Sequence, residues 1–113
     1  MKQHTKRTEK PIAPKDFQSE LVAAERFGIL AVCEICSAAL ESQQPDYDKL
    51  LLWTKALLEA AEDAHCRKDT ELTSTYLFLY HNMWEYAKNY LSLLEYHRFC
   101  GNQIENWELI YLD

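Results

Sequence analysis

Glycine and proline are scarce. Two Gly and three Pro occur in 113 residues, and two of the Pro, Pro11 and Pro14, fall within the first fourteen positions. A β-rich fold needs turn residues that this chain does not have. So few glycines also leave little scope for close backbone approach to a phosphate group. Long apolar runs are missing: none approaches the roughly 20 residues of a membrane span. The N-terminus is basic, but no continuous apolar stretch of a secretion signal follows it. The expected setting is cytoplasmic, without membrane contact, and the four Cys are expected as reduced thiols. Catalytic signatures are missing too. There is no HExxH, no Gly-rich phosphate loop and no nucleophile in a recognisable setting. The Glu-x-x-His pattern of di-iron bundles does not occur on two helices. The chain is therefore expected to be a non-enzyme with no cofactor.

Positive charge is short everywhere except at the start. Net charge is −6, yet Lys2, Lys6, Arg7, Lys10 and Lys15 against Glu9 give residues 1–15 a charge of +4, leaving the remainder near −10. Nucleic-acid binding needs a basic face to replace counterions, and an acidic body argues against it. Residues 1–15 read as a flexible, disordered basic tail, and residues 16–113 as one domain with one core.

What is present is helical periodicity. It runs from about Asp16 to Ser42, where "QQPD" interrupts it. Pro45 disfavours helix at Gln44, and Asp46 is a good N-cap. A second helix is predicted over Tyr47–Cys66, with Asp69 or Thr70 capping a third over Glu71–Arg98. Gly101 is expected to end that helix. Asn102 and Glu105 have capping-box spacing, opening a short last helix over Gln103–Leu112. The expected fold is all-α, an antiparallel four-helix bundle. Glu59, Glu62 and Asp63, with Asp48 and Lys55, read as a solvated face of the second helix.

The third helix carries most of the aromatics: eight of the twenty-five residues from Thr75 to Phe99 are Tyr, Phe or Trp. On a helical wheel, Leu72, Tyr76, Leu79, Met83, Ala87, Tyr90 and Leu94 form a central stripe. Tyr80, Trp84 and Leu91 widen it on one side, Tyr86 and Leu93 on the other. The apolar arc spans about 200°, twice the ~100° of an ordinary surface helix. Phe78 and Tyr96 fall on the polar side. Such an arc suits a central helix packed on both sides. It equally suits a helix with one flank in the core and the other on a partner, and Tyr and Trp are enriched at such interfaces. Tyr76, Tyr80, Trp84, Tyr86 and Leu91 are the candidate partner-binding residues.

The cysteines admit two readings. Cys33 and Cys36 have CxxC spacing but lie in mid-helix, on one apolar stripe with Ile29, Val32, Ala39 and Leu40, where free Cys serves as a small core residue. A metal site is the rival: Cys33 and Cys36 with His97 and Cys100 would make a Cys₃His zinc set, with His65 and Cys66 as another source of ligands.

At "ELTSTYLFLYHNM" the chain resembles the flagellar export chaperones of the FliS family. Glu71, Leu72, Tyr76, Leu79, Tyr80 and Met83 stand at the places of that family's helix pattern. "DYDKLLLWTKALLEA" looks like its second bundle helix, and "NWELI" is similar to its closing Trp-containing segment. His81 and Asn82 depart from the usual acidic and aromatic pair. The resemblance implies a chaperone that wraps the helical C-terminal part of flagellin, with Tyr76, Tyr80, Trp84 and Leu91 lining the contact.

The functional expectation is a protein-binding module: a bacterial secretion chaperone or adaptor that sequesters a helical segment of an exported client, with homodimerisation where no client is present. One alternative is a small acidic inhibitor, an immunity protein, antitoxin or phage-encoded antagonist, that blocks a basic target by charge complementarity. The other is the zinc-binding helical protein that the cysteine set would allow.

Overall fold

The computed structural model describes residues 14–42 and 45–111, with side chains placed for 17–41 and 45–107. Among the described residues five helices follow one another: α1 (Pro14–Glu25), α2 (Ile29–Ser42), α3 (Tyr47–Cys66), α4 (Thr70–Tyr90) and α5 (Leu93–Tyr111). No strand occurs among the described residues. None of the helices is long and apolar enough to cross a membrane among those residues. Most of the expected basic tail, residues 1–13, lies outside the described residues, as do Gln43, Gln44 and Leu112. Pro14 and Lys15 are the first two residues of α1, and Pro suits that first position because its missing N–H has no helical partner there.

Two connections are as the sequence predicts. Asp46 caps α3, its carboxylate accepting from the Lys49 N–H at 3.0 Å. Asp69 caps α4 by accepting from the Leu72 N–H at 3.1 Å. Between them the chain turns at Lys68, which holds a positive φ of 64°. The Lys68 and Asp69 N–H groups donate back to the His65 and Ala64 carbonyls, satisfying acceptors that the end of α3 leaves over.

Two other boundaries correct the four-helix expectation. The first periodic segment is divided at Gly28, whose φ of +107° a side chain would oppose. The Gly28 carbonyl then accepts the first hydrogen bond of α2, from Val32. The aromatic segment does not run on to Arg98: it stops at Tyr90, because Leu91 is extended (ψ 156°). Ser92 and Glu95 form the capping box. The Glu95 N–H donates to the Ser92 hydroxyl at 3.2 Å, and the Ser92 N–H donates to the Glu95 carboxylate at 3.4 Å. Gly101 stops nothing and lies inside α5, so Asn102 and Glu105 cap no helix.

α3 is the hub, packing against α1, α4 and α5, while α2 packs against α1 and α4. The core is built on Phe17, Leu21, Val32, Leu50, Trp53, Leu57, Leu58, Tyr76, Met83 and Phe99. The Phe17 and Trp53 rings lie 5.6 Å apart and join α1 to α3. The expected stripe holds from Leu72 to Ala87, but Tyr90 and Leu94 are exposed, because the chain turns just where the stripe would carry them inward. Glu62, Asp63, Asp48 and Lys55 are solvated as expected, while Glu59 is half-buried.

Candidate functional site

Four of the five candidate partner-binding residues are engaged within the protein through specific contacts of their own. Tyr76 is buried, and its hydroxyl donates to the Glu25 carboxylate. Glu25 also receives the Arg67 guanidinium at 3.3 Å, and Arg67 binds Asp63 at 3.0 Å. Burial, then the bond to Glu25, pushes the Tyr76 phenol well above its ordinary range. Tyr76 is thus a peg between α4 and the end of α1.

Tyr80 is buried at the contact with α5. Its hydroxyl donates to the Gln103 side-chain carbonyl at 2.9 Å and accepts from the Trp107 indole at 3.2 Å. The Gln103 amide donates to Thr54 Oγ1 at 3.1 Å, and Thr54 in turn donates to the Leu50 carbonyl at 2.7 Å. Trp84 is half-buried. Its indole donates to the Tyr96 hydroxyl at 2.8 Å, and its ring meets Tyr80 and Phe99 edge-on at 5.9 and 5.7 Å. Tyr86 is half-buried and stacks on Tyr90 with centroids 4.4 Å apart. Leu91 is half-buried at the C-terminal cap of α4.

The surplus aromatic flank of α4, formed by Tyr80 and Trp84, therefore takes a helix, and that helix is the protein's own α5. A wheel gives the direction of a side chain but not which neighbour meets it: of the residues expected on a foreign helix, Tyr76 meets the protein's own α1, and Tyr80 and Trp84 meet its own α5. The Leu72, Tyr76, Leu79, Tyr80 and Met83 positions that carry the FliS-like pattern are all buried.

The metal set is not assembled. Cys33 and Cys36 lie on α2, His97 and Cys100 on α5, and among the described residues the backbones of these two helices do not come together. No group of three potential ligands occurs among the described residues. Cys36 is buried; burial, then the neighbouring Cys33, pushes its thiol up to about 12, away from the thiolate that metal and redox chemistry use. His65 and Cys66 are exposed at the end of α3.

An open concave surface that the aromatic stripe gave no sign of lies between α1 and α2. It encloses about 520 Å³ and is lined by Glu20, Ala23, Ala24, Phe27, Ala31, Glu34, Ile35 and Ala38. Four alanines make a floor that a helix backbone can approach closely. Phe27, 81% exposed in the turn, stands as an apolar wall. Glu20 and Glu34 are exposed on the rim, and α2 carries no basic residue. The signal for this site was present in the sequence as the alanines of α1 and α2 on either side of Gly28. It became a groove only once that glycine folded α2 back against α1. No family model, curated protein or solved structure matches the chain.

Proposed function

We propose that the protein is a non-enzymatic binding module that sequesters a helical segment of a partner protein, as a secretion chaperone or adaptor does. The observation that carries this reading is the α1–α2 groove, apolar on its floor and acidic at Glu20 and Glu34. Such a groove suits an amphipathic helix whose narrow apolar stripe is flanked by Lys or Arg. The resemblance of Glu71–Met83 to the FliS pattern makes the C-terminal helical part of flagellin the first client to try.

The test is binding of that peptide, beside a designed amphipathic helix with Lys flanks, to the parent and to Ala23→Lys. Ala23 is exposed, so the fold tolerates the change, while the long cationic side chain fills the groove and opposes its charge. At least tenfold weaker binding by A23K is expected. Equal affinity for both proteins, or no binding of either peptide, would remove the groove as the binding site. The body charge near −10 supports a second reading, inhibition of a basic target. Affinity for that target would fall steeply with salt and be indifferent to A23K.

A further inference from the structure

The junction of α4 and α5 is built in an unusual way. Only Leu91 and Ser92 separate the two helices. Neither is Gly or Pro, and the sequence on both sides is helix-forming, so nothing local forbids one unbroken helix from Thr70 to Tyr111. The apolar side chains around the turn are turned out to solvent: Tyr90 is 70% exposed, Leu93 86% and Leu94 68%. In an unbroken helix Tyr90 and Leu94 would continue the same stripe as Tyr76, Met83 and Ala87. The turn is held by the reciprocal Ser92–Glu95 cap, while the Leu91 N–H donates to the Ala87 carbonyl as it would in an unbroken helix. Beyond it, α5 packs chiefly on α3. Phe99 and Gln103 are buried there, and Trp107 reaches Tyr80.

We infer that a second copy of this chain occupies the α4–α5 end by exchange of α5. The Leu91–Ser92 turn straightens, and α5 of each copy docks on α3 and α4 of the other. Gln103 then meets the Thr54 and Tyr80 of the partner copy in the bonds it makes within one chain. The existing interface is reused whole, which is why exchange of an identical element is an easy route to a dimer. Two things change at the junction. The capping box is lost from each copy, and the Tyr90, Leu93 and Leu94 side chains of the two straightened helices are brought together at the dyad, where they leave solvent. The short connection favours this, since a two-residue turn has little slack. The inference is independent of the α1–α2 groove.

Ser92 is exposed and decides the balance, so the test uses opposite substitutions there. Ser92→Pro also gives up the cap, but Leu91 is already in the extended conformation a following proline prefers, and the proline costs a continuous helix more than the lost cap costs the turn. Ser92→Ala removes the cap and favours the continuous helix. Size-exclusion chromatography with light scattering, over a concentration series, is expected to show a monomer–dimer equilibrium for the parent. The dimer is lost in S92P. In S92A it is tighter by about 30-fold, the equivalent of about 1 kcal/mol for each of two lost caps. The isolated dimer re-equilibrates slowly, because α5 must leave its site. Circular dichroism checks that both variants remain helical. A dimer equally strong in parent, S92A and S92P would mean association through a surface without exchange, and would overturn the inference. So would S92A that stays monomeric at every concentration.

Discussion

Replacing Gln103 by Leu tests whether α5 is held by a specific buried network or by apolar contact alone. The two side chains are similar in size, so little cavity is created. The substitution takes the carbonyl acceptor from the Tyr80 hydroxyl, a 2.9 Å bond, and the amide donor from Thr54, a 3.1 Å bond. Thr54 loses less, because its hydroxyl still donates to the Leu50 carbonyl at 2.7 Å. The Tyr80 hydroxyl loses a buried acceptor, and that desolvation dominates. The expected destabilisation is about 2 kcal/mol, a fall in Tm of roughly 8 °C for a chain of this size. Tyr80→Phe separately takes the donor from Gln103. The double variant removes both ends of the bond, so its loss should fall short of the sum of the single losses by about 1 kcal/mol. Urea unfolding followed by circular dichroism measures all four proteins. A Q103L protein as stable as the parent, with additive single losses, would refute the reasoning. Phe99 and Trp107 would then hold α5 without the polar bonds.

Three further outcomes follow from particular residues. Gly28→Ala should lower stability by about 1–2 kcal/mol, because φ is +107°. The added Cβ would meet nothing within 4 Å, so the effect is one of backbone alone. A stabilising G28A in thermal unfolding would instead mean that α1 and α2 are one helix. Cys36 makes stability fall at high pH: its thiol is raised from the ordinary 9.0 to about 12 by burial and by Cys33. Its contribution is complete below pH 9 and is lost as pH climbs toward 12, since only the unfolded chain ionises readily in that window. Tyr76, also raised, acts with the same sign beyond the ordinary phenol range. Cys36→Ala should flatten the decline between pH 9 and 11 in a series of unfolding curves, and an unchanged slope would assign it elsewhere. In the native parent, exposed Cys66 should react with a thiol reagent well before Cys36.

The places where sequence reading and structure part company share one cause. Gly28 and Gly101 look alike in sequence, yet Gly28 turns the chain and Gly101 sits inside α5. Two capping boxes compete within fourteen residues, Ser92–Glu95 and Asn102–Glu105, and only the first is used. In each case a local signal permits a break, and packing of the helix that follows, α2 on α1 and α4 or α5 on α3, selects which break is taken.

By itself the sequence determined that the chain is helical, that α3 runs from Tyr47 to Cys66 behind an Asp46 cap, and that α4 opens at Asp69 or Thr70, of which the structure uses Asp69. It also determined the buried stripe of α4 from Leu72 to Ala87. These follow from bonds spanning three or four residues and from the helical period, which need no knowledge of neighbours. Only the tertiary structure decided what covers the aromatic flank of α4, that Cys33 and Cys36 lie apart from His97 and Cys100, and that α1 and α2 leave a groove between them. Those outcomes depend on which apolar face meets which, and many pairings bury similar area. The choice among them rests on the fit of a few side chains, Gln103 between Thr54 and Tyr80 above all.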